Sequence, residues 1–333
     1  MTEQQLKTLS NKKILITGGA GFIGSNLCET LLNHHIEVVC LDNFSTGKTQ
    51  NIQPFLKNNL FTLIKGDIRN LEDCKTACIH VDYVLHEAAL GSVPRSINDP
   101  ITTNEVNVSG FLNMLVAARD AGVSRFVYAA SSSTYGDHEG LPKVEETIGK
   151  PLSPYAITKY VNELYADIFH TTYHFDTIGL RYFNVFGKRQ DPNGAYAAVI
   201  PKFVQQFINH ESPLINGDGS YSRDFTYIDN VVQMNINALT TTNTEALNTV
   251  YNVACGERTS LLELANLLKT YLSEFDETIK NINIEYGANR LGDIPHSLAS
   301  INKAKNLLNY HPKYNIKTGL KEAVKWYWKN NKI

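Results

Sequence analysis

The sequence predicts an α/β protein whose core is a doubly wound parallel sheet, and three observations carry this prediction. Short apolar runs that suit buried parallel strands alternate with helical segments. A glycine-rich turn follows the first apolar run, and a chain of 333 residues can bury a large core. We expect residues 1–185 to form the sheet domain. Residues 186–333 should form mainly a smaller, mixed α/β lobe, with some later segments returning to the sheet.

The expected strands are apolar runs that end in polar or glycine-rich turns. In chain order they span residues 13–17, 37–42, 61–65, 83–86, 125–130 and 177–182. Helical segments are expected at residues 25–33, 100–121 and 155–172. After residue 186, turns rich in Gly, Pro and Asn break this rhythm, although residues 261–271 again predict a helix.

Composition excludes several classes of partner. The formal net charge is −2, so we expect neither nucleic acid nor an anionic membrane as a partner. No apolar run approaches the length of a membrane span, and the polar first twelve residues lack the pattern of a signal peptide, which predicts a cytoplasmic protein. The five cysteines are irregularly spaced, so we expect reduced thiols and no metal site.

The glycine-rich turn predicts a Rossmann-type nucleotide site. Gly18, Gly21 and Gly24 follow the first strand, and with Phe22 and Ile23 they would place a helix N-terminus against a pyrophosphate. Asp42 ends the second strand, where an acid binds both ribose hydroxyls of NAD and repels the 2′-phosphate of NADP. The alternative is a plain cluster of turn glycines with solvated acids.

Other segments complete the expected NAD site. Asp67 and Ile68 lie just past the third strand, where they would meet the adenine, and the small Ala88 and Ala89 would let the nicotinamide half approach. The turn after Asp42 adds further expected contacts, namely Asn43, Ser45, Thr46 and Gly47. His86 is expected to be a buried structural histidine, and Asn107 to brace the strand-end loops.

Tyr155 and Lys159 are spaced to share one face of a helix. A lysine ammonium beside a phenol lowers the phenol pKa, which starts near 10, and a phenol closer to neutrality can take a proton from a hydroxyl group. Many helices carry this pair by coincidence. The pair gains its meaning from the nucleotide loop at the start of the chain.

With the glycine loop, the three serines at 131–133 and the Tyr155/Lys159 pair in place, the whole chain resembles the extended short-chain dehydrogenase/reductase family. It most resembles nucleotide-sugar 4-epimerases, in particular bacterial UDP-N-acetylglucosamine 4-epimerases. The resemblance implies bound NAD, a UDP-sugar substrate, and a homodimer formed through the helices at 100–121 and 155–172.

The resemblance also implies roles for individual residues. Tyr155 would be the catalytic base, and Lys159 would lower its pKa and hold the nicotinamide ribose. Ser131 would bind the reacting 4-hydroxyl, although three serines in a row leave that assignment open by one or two positions. Ser132 and Ser133 would otherwise reach the sugar. The alternative for Ser131 is backbone capping at a strand end.

The substrate residues are implied in the same way. Asn184, Arg223 and Arg290 would hold the diphosphate, because amide and guanidinium donors match phosphate oxygens. The other implied contacts are Val199 in the uridine pocket, Asp293 on the uridine ribose, and Ser92 at the sugar. Arg223 and Arg290 could instead be surface charges.

The residues beside Ser131 bear on the reaction. Dehydratases of this family carry an acid pair there, whereas this chain has Ser132 and Ser133, so epimerisation at C4 is expected. Ser297 lies where epimerases restricted to non-acetylated sugars carry a tyrosine, and a serine leaves room for a 2-acetamido group. UDP-GlcNAc and UDP-GalNAc are therefore the expected substrates. The alternatives are a UDP-glucose/UDP-galactose or UDP-uronic acid epimerase, a dehydrogenase or decarboxylase, and a non-catalytic nucleotide sensor.

Overall fold

A computed structural model describes residues 1–193, 197–288 and 294–330. Its strands are β1 Lys13–Thr17, β2 Glu37–Asp42, β3 Phe61–Lys65, β4 Tyr83–His86, β5 Arg125–Ser131, β6 Thr177–Tyr182, β7 Val185–Phe186, β8 Leu214–Asn216, β9 Ser222–Arg223, β10 Thr226–Tyr227, β11 Thr249–Val253, β12 Thr259–Ser260 and β13 Glu285–Gly287. Its α-helices are α1 Glu3–Leu9, α2 Phe22–Asn33, α3 Thr49–Ile52, α4 Leu71–Ala77, α5 Val93–Asn98, α6 Pro100–Asn104, α7 Gly110–Asp120, α8 Pro154–Tyr173, α9 Val199–Ile208, α10 Ile228–Thr240, α11 Leu261–Leu272, α12 Asn302–Leu308 and α13 Ile316–Asn330.

Within the described residues, the core is a seven-stranded parallel sheet in the order β11-β6-β5-β4-β1-β2-β3. The predicted fold class is confirmed, and each of the six expected strands is present. Strands β1, β2 and β3 follow one another towards one edge of the sheet, and β4 then pairs with the other side of β1. Parallel strands leave a crevice at their carboxyl ends where this reversal occurs.

Two predicted helix boundaries need correction. Helix α2 begins at Phe22 rather than at residue 25, because Gly21 takes the extended N-cap conformation. The helix expected at 100–121 is divided into α6 and α7 by a π turn, Glu105–Ser109. The amide of Asn107, inside that turn, bonds both backbone groups of Leu90 and the Thr158 hydroxyl, which is the bracing that the sequence predicts.

The second half of the chain contributes both to the sheet and to small peripheral pairs. Strand β11 joins the sheet beside β6, whereas the pairs β7–β10, β9–β12 and β8–β13 lie outside it. The buried apolar side chains form two clusters, one with members from Leu9 to Tyr327 and one with members from Leu15 to Phe175. The division into two lobes at residue 185 stays a prediction. Among the helices described, none combines the length and the apolar character needed to cross a bilayer.

Candidate active site at the carboxyl edge of the sheet

A cleft of about 310 Å³ opens at the carboxyl ends of β1, β2 and β4, where the strand order reverses. Twelve of the residues expected to contact NAD line it: Gly18, Gly21, Phe22, Ile23, Gly24, Asp42, Asn43, Ser45, Thr46, Ile68, Ala88 and Ala89. Sequence reasoning did not assign the other lining residues, which are Leu41, Gly66, Glu87, Leu90, Gly91 and Val106.

The glycine turn fits a pyrophosphate because its backbone is packed too closely for side chains. A Cβ at Gly24 would lie 2.2 Å from the carbonyl oxygen of Gly18. Gly18 has a φ of +66°, and a Cβ there would lie 2.9 Å from the backbone of Ala88. Since Gly21 offers no side-chain cap to α2, the first N–H groups of this helix are left to a bound anion.

Asp42 is fixed at the end of β2. Its carboxylate accepts backbone N–H bonds of 2.9 Å from Ala20 and 2.7 Å from Phe44. Burial raises the pKa of this acid, and the two backbone bonds lower it. A Cβ at Gly47 would lie 2.8 Å from the carboxylate, so Gly47 packs against Asp42. This arrangement presents an oriented acid to the cleft, as binding of two ribose hydroxyls requires.

Asp67 and Ile68 separate at the far end of the cleft. Ile68 lines it, whereas Asp67 forms a bidentate pair with Arg69 and accepts a bond from Asn43. The Arg69 hydrogen bonds lower the pKa of Asp67 to about 2. Asp67 therefore holds the amide of Asn43 in place at that end of the cleft.

Ser131 ends β5, and Tyr155 and Lys159 lie on α8, which packs against that strand. Ser131 acts on the Tyr155 phenol, whose pKa it lowers. Ser131 Oγ also accepts the backbone N–H of Ser133 at 3.2 Å and its hydroxyl at 2.9 Å. Ser131 thus caps the turn at the strand end, and this role is compatible with its effect on the phenol pKa. Ser132 and Ser133 begin the following 3₁₀ turn.

The pKa values of the pair depend on burial. Burial raises the pKa of the Tyr155 phenol, and the Ser131 hydrogen bond lowers it. Burial lowers the pKa of Lys159 to about 8, whereas the charges of Glu87 and Glu163 raise it. The Lys159 ammonium donates a 2.7 Å bond to the carbonyl oxygen of Ala129. Ser131 is therefore a side chain that lowers the pKa of the phenol, against the larger effect of burial.

His86 and Glu87 follow each other at the end of β4 but differ in role. His86 Nδ1 lies 2.9 Å from the Thr17 hydroxyl, and its ring stacks on Phe126. Burial lowers the pKa of His86 to about 3, so it is a neutral structural histidine. Glu87 lines the cleft and accepts a 2.7 Å bond from the Tyr182 hydroxyl.

A second pocket, of about 190 Å³, brings together Asn184, Val199 and Arg223 from distant parts of the chain. One N–H of the Asn184 amide bonds the carbonyl oxygen of Asp224. Arg223 Nη1 bonds the carbonyl oxygens of Ser222 and Pro295. Sequence reasoning did not assign the remaining lining residues, which include Lys202, Phe203, Asn216 and Phe225.

The structure describes Ser92 and Ser297, two of the remaining residues expected to contact the substrate. Ser92 caps α5, with its hydroxyl accepting the N–H of Arg95. The Ser297 N–H bonds the carbonyl oxygen of Ser222, which places Ser297 beside β9. Arg290 and Asp293 lie outside the residues that the structure describes.

Comparison with known proteins identifies this architecture. The model of the NAD dependent epimerase/dehydratase family matches residues 14–254. The chain belongs to that family. The UDP-N-acetylglucosamine 4-epimerase of Methanobrevibacter ruminantium, solved with UDP-N-acetylmuramic acid, is 37% identical with a TM-score of 0.87, covering 96% of this chain and 98% of that one.

Two further solved structures of family members carry other sugars. The UDP-glucose 4-epimerase of Thermotoga maritima, with UDP-glucose, is 33% identical with a TM-score of 0.88, covering 96% of this chain and 100% of that one. The UDP-glucuronic acid 4-epimerase of Bacillus cereus, with UDP-glucuronic acid and NAD, is 32% identical with a TM-score of 0.86, covering 95% and 99%. The protein is thus an NAD-dependent isomerase of the epimerase type.

Proposed function

We propose that the protein is a UDP-sugar 4-epimerase whose preferred substrates are UDP-GlcNAc and UDP-GalNAc. The observation that carries the reaction is that Ser131, at the end of β5, acts on the Tyr155 phenol, which shares a face of α8 with Lys159, next to a cleft with the backbone features of a dinucleotide site. For the choice of sugar, the supporting residue is Ser297, beside β9.

The proposed roles follow from the chemistry of each group. When bound, NAD supplies a hydride acceptor at C4 of the sugar and then returns the hydride to the opposite face. Tyr155 takes the proton of the 4-hydroxyl, and Ser131 orients that hydroxyl and stabilises the phenolate. Lys159 contributes a positive charge on the face of α8 that Tyr155 shares. The residues expected to hold NAD are the cleft-lining set, with Asp67 supporting Asn43.

At the other end of the substrate, Asn184, Val199 and Arg223 would hold the UDP group, together with Arg290 and Asp293 from the sequence prediction. The 4-keto sugar must rotate between the two hydride transfers, so the diphosphate has to stay anchored while the sugar is held loosely. Interactions with the non-reacting nucleotide serve this need.

The deciding experiment supplies three sugars to the purified protein with no added NAD: UDP-GlcNAc, UDP-Glc and UDP-glucuronic acid. We expect UDP-GalNAc to form fastest, without accumulation of NADH. If UDP-Glc or UDP-glucuronic acid is turned over fastest, the sugar assignment is overturned. These two sugars are the natural alternatives, because solved epimerases named for them are similar to this chain to nearly the same degree. Tyr155→Phe should abolish turnover. No product from any sugar, even with added NAD, would favour a non-catalytic sensor.

Variants at Ser297 test the selectivity directly. Ser297→Tyr should suppress turnover of the acetylated pair and spare UDP-Glc, because the larger side chain would fill the space for the acetamido group. Ser297→Ala is the matched control and should retain the preference, because it keeps the space. Equal selectivity in the tyrosine variant and the wild type would refute the role of Ser297.

We also propose that the protein is a cytoplasmic homodimer. Helix α8 packs against α5 and α6, and this face exposes apolar side chains, among them Ile97, Ile101 and Ile168. A second copy of the chain would cover them. Sedimentation should show that the wild type is a dimer and that the double variant Ile101→Lys/Ile168→Lys is a monomer. The control Ile79→Lys, at an exposed position outside this face, should stay dimeric. A monomeric wild type would overturn the proposal.

A further inference from the structure

Asp224 lies between β9 and β10, directly after Arg223, and the proposed reaction gives its carboxyl group no role. The residue is fully buried, with 0% of its surface exposed. Burial raises the pKa of this carboxyl group to about 7, a rise that the charge of Glu257 increases and three backbone hydrogen bonds oppose. Because burial of a carboxylate costs free energy, its place beside a proposed nucleotide contact asks for a physical reason.

The Asp224 carboxylate fastens two segments that lie far from it in the chain. Oδ1 accepts the backbone N–H of Cys255 at 2.9 Å, and Oδ2 accepts those of Gly256 at 3.0 Å and Ala299 at 3.3 Å. Cys255 and Gly256 come directly after Ala254, which follows β11, the strand at one edge of the central sheet. The carboxylate therefore ties the short β9–β10 connection to the end of a sheet strand.

The backbone of the same connection holds two residues of the second pocket. The Asp224 carbonyl oxygen accepts a 3.0 Å bond from Asn184 Nδ2, and the N–H of Thr226 bonds the carbonyl oxygen of Asn184 at 3.2 Å. Asn184 has a φ of +37°, which residues with a side chain rarely adopt, so it depends on such bonds. Arg223 is the neighbour of Asp224 in the chain, and both Asn184 and Arg223 line the pocket. A shift of the Asp224 backbone would therefore displace both of them.

We propose that Asp224 is a positioning residue of the nucleotide pocket, whose buried carboxylate fixes Asn184 and Arg223 for the diphosphate by fastening them to the end of β11. The proposal rests on the proposed function, which assigns these two residues to the UDP group. Asp224 is not among the described residues that line either pocket, so it acts through the residues that it holds.

Asp224→Asn tests the carboxylate with little change of shape. The single amide oxygen replaces one carboxylate oxygen, whereas the NH₂ group would face a backbone N–H that is also a donor. The β9–β10 connection should shift, and the Kd for UDP should rise at least about tenfold in calorimetry at pH 8, where the wild-type carboxyl group is ionised. The Kd for NAD should change by less than about twofold, because the cofactor cleft lies at β1, β2 and β4.

A control separates positioning from a general loss of stability. Asn237→Ala removes another buried amide, whose Nδ2 bonds the carbonyl oxygens of Leu308 and Asn309 rather than the pocket. This variant should lower the urea midpoint and leave the Kd for UDP within about twofold of the wild type. The proposal is overturned if Asp224→Asn binds UDP as the wild type does, if it loses affinity for UDP and NAD equally, or if Asn237→Ala weakens UDP as much.

A second readout does not need UDP. In hydrogen–deuterium exchange, the backbone amides of residues 184–186 and 222–227 should exchange at least about threefold faster in Asp224→Asn than in the wild type, whereas those of β1 and β2 should not change. Unchanged exchange in these segments would refute the positioning role. A wild type that binds no UDP would instead refute the proposed function, so the two failures are distinguishable.

If Asp224→Asn does not fold, Ala299→Pro replaces it. Proline removes the N–H that Ala299 donates to Asp224. The bridge between Ala299 and Lys143 is kept, because its bonds are made by the N–H groups of Lys143 and Ser300. The same segments should exchange faster in this variant, and wild-type exchange there would refute the proposal.

Discussion

The substitution Gly24→Ala tests the tightest contact in the cofactor turn. The new Cβ would lie 2.2 Å from the carbonyl oxygen of Gly18 and 2.8 Å from its carbonyl carbon. Both atoms belong to the backbone, so no side-chain rotation relieves the contact. To reach the 3.0 Å below which real Cβ contacts essentially never fall, the Gly18 carbonyl must move by about 0.8 Å.

That movement has a calculable cost. The Gly18 carbonyl accepts the 2.9 Å hydrogen bond from Gly21 that closes the turn, and loss of such a bond costs about 1 kcal/mol. Overpacking of a well-packed site adds about 1–3 kcal/mol. We therefore expect the free energy of unfolding to fall by about 2–4 kcal/mol. The displaced turn should also raise the Kd for NAD at least about tenfold, which corresponds to about 1.4 kcal/mol.

Urea unfolding, monitored by circular dichroism, measures the change in the free energy of unfolding. Calorimetric titration of the apoprotein with NAD measures the change in Kd. Gly91→Ala is the matched control, because Gly91 lines the same cleft but a Cβ there has nothing within 4 Å. Its stability should change by less than about 0.5 kcal/mol. Wild-type affinity for NAD and an unchanged urea midpoint in Gly24→Ala would show that the turn does not hold the pyrophosphate as argued.

Four further changes test other parts of the site. Glu163→Gln should destabilise the protein by about 3–5 kcal/mol in urea unfolding, since it leaves the buried Arg181 charge unpaired; a loss below about 1 kcal/mol would contradict this. Asp42→Asn should raise the Kd for NAD at least about tenfold and reduce the preference for NAD over NADP, because the neutral amide no longer repels the 2′-phosphate. If calorimetry shows the same ratio of NAD to NADP affinity in the variant and the wild type, this would argue against the role of Asp42. The pKa of Asp67 is lowered to about 2, so its stabilising contribution is complete above its ordinary value near 3.9 and is lost as the pH falls towards 2. Asp67→Asn should therefore cost about 1 kcal/mol at pH 6 and less at pH 3, and an equal loss at both values would contradict the linkage. Arg223→Lys should raise the Kd for UDP about tenfold by removing the guanidinium fork, whereas Arg258→Lys, at an exposed position next to the strand that pairs with Arg223, should not; equal affinities of the two variants would remove Arg223 from the nucleotide site.

The sheet and the cofactor cleft could be predicted because their signals are local. Each of the first six strands is a run of apolar residues bounded by turns, and the glycine spacing encodes a turn with a single backbone solution. The signal for β11 is weaker: Asn252 interrupts the run, and its buried amide instead bonds the carbonyl oxygens of Lys143 and Ser300. Such a distant partner is invisible in a window of sequence, so the strand was missed.

The electrostatics of the site could not be predicted in the same way. Helical spacing brings Tyr155 and Lys159 to one face, but it does not show that Lys159 bonds Ala129 or that burial raises the pKa of the phenol. The place of Glu87 depends on Tyr182, almost a hundred residues later in the chain. Burial and long-range hydrogen bonds set these pKa values, and both arise only when the strands assemble.

The two ends of the proposed substrate site differ in how they are built, and this difference suits an epimerase. Ser131, Tyr155 and Lys159 are fixed by β5 and α8, within the sheet and its covering helix. Arg223 and Ser297 belong instead to one peripheral unit: Ser222 bonds the backbone of both Pro295 and Ser297, and Arg223 also bonds Pro295. A residue proposed to anchor the diphosphate and a residue proposed to select the sugar are therefore held by one set of hydrogen bonds, separate from the groups proposed to carry out the chemistry. An epimerase needs such a separation, because the diphosphate must stay anchored while the sugar ring presents each face at C4 in turn.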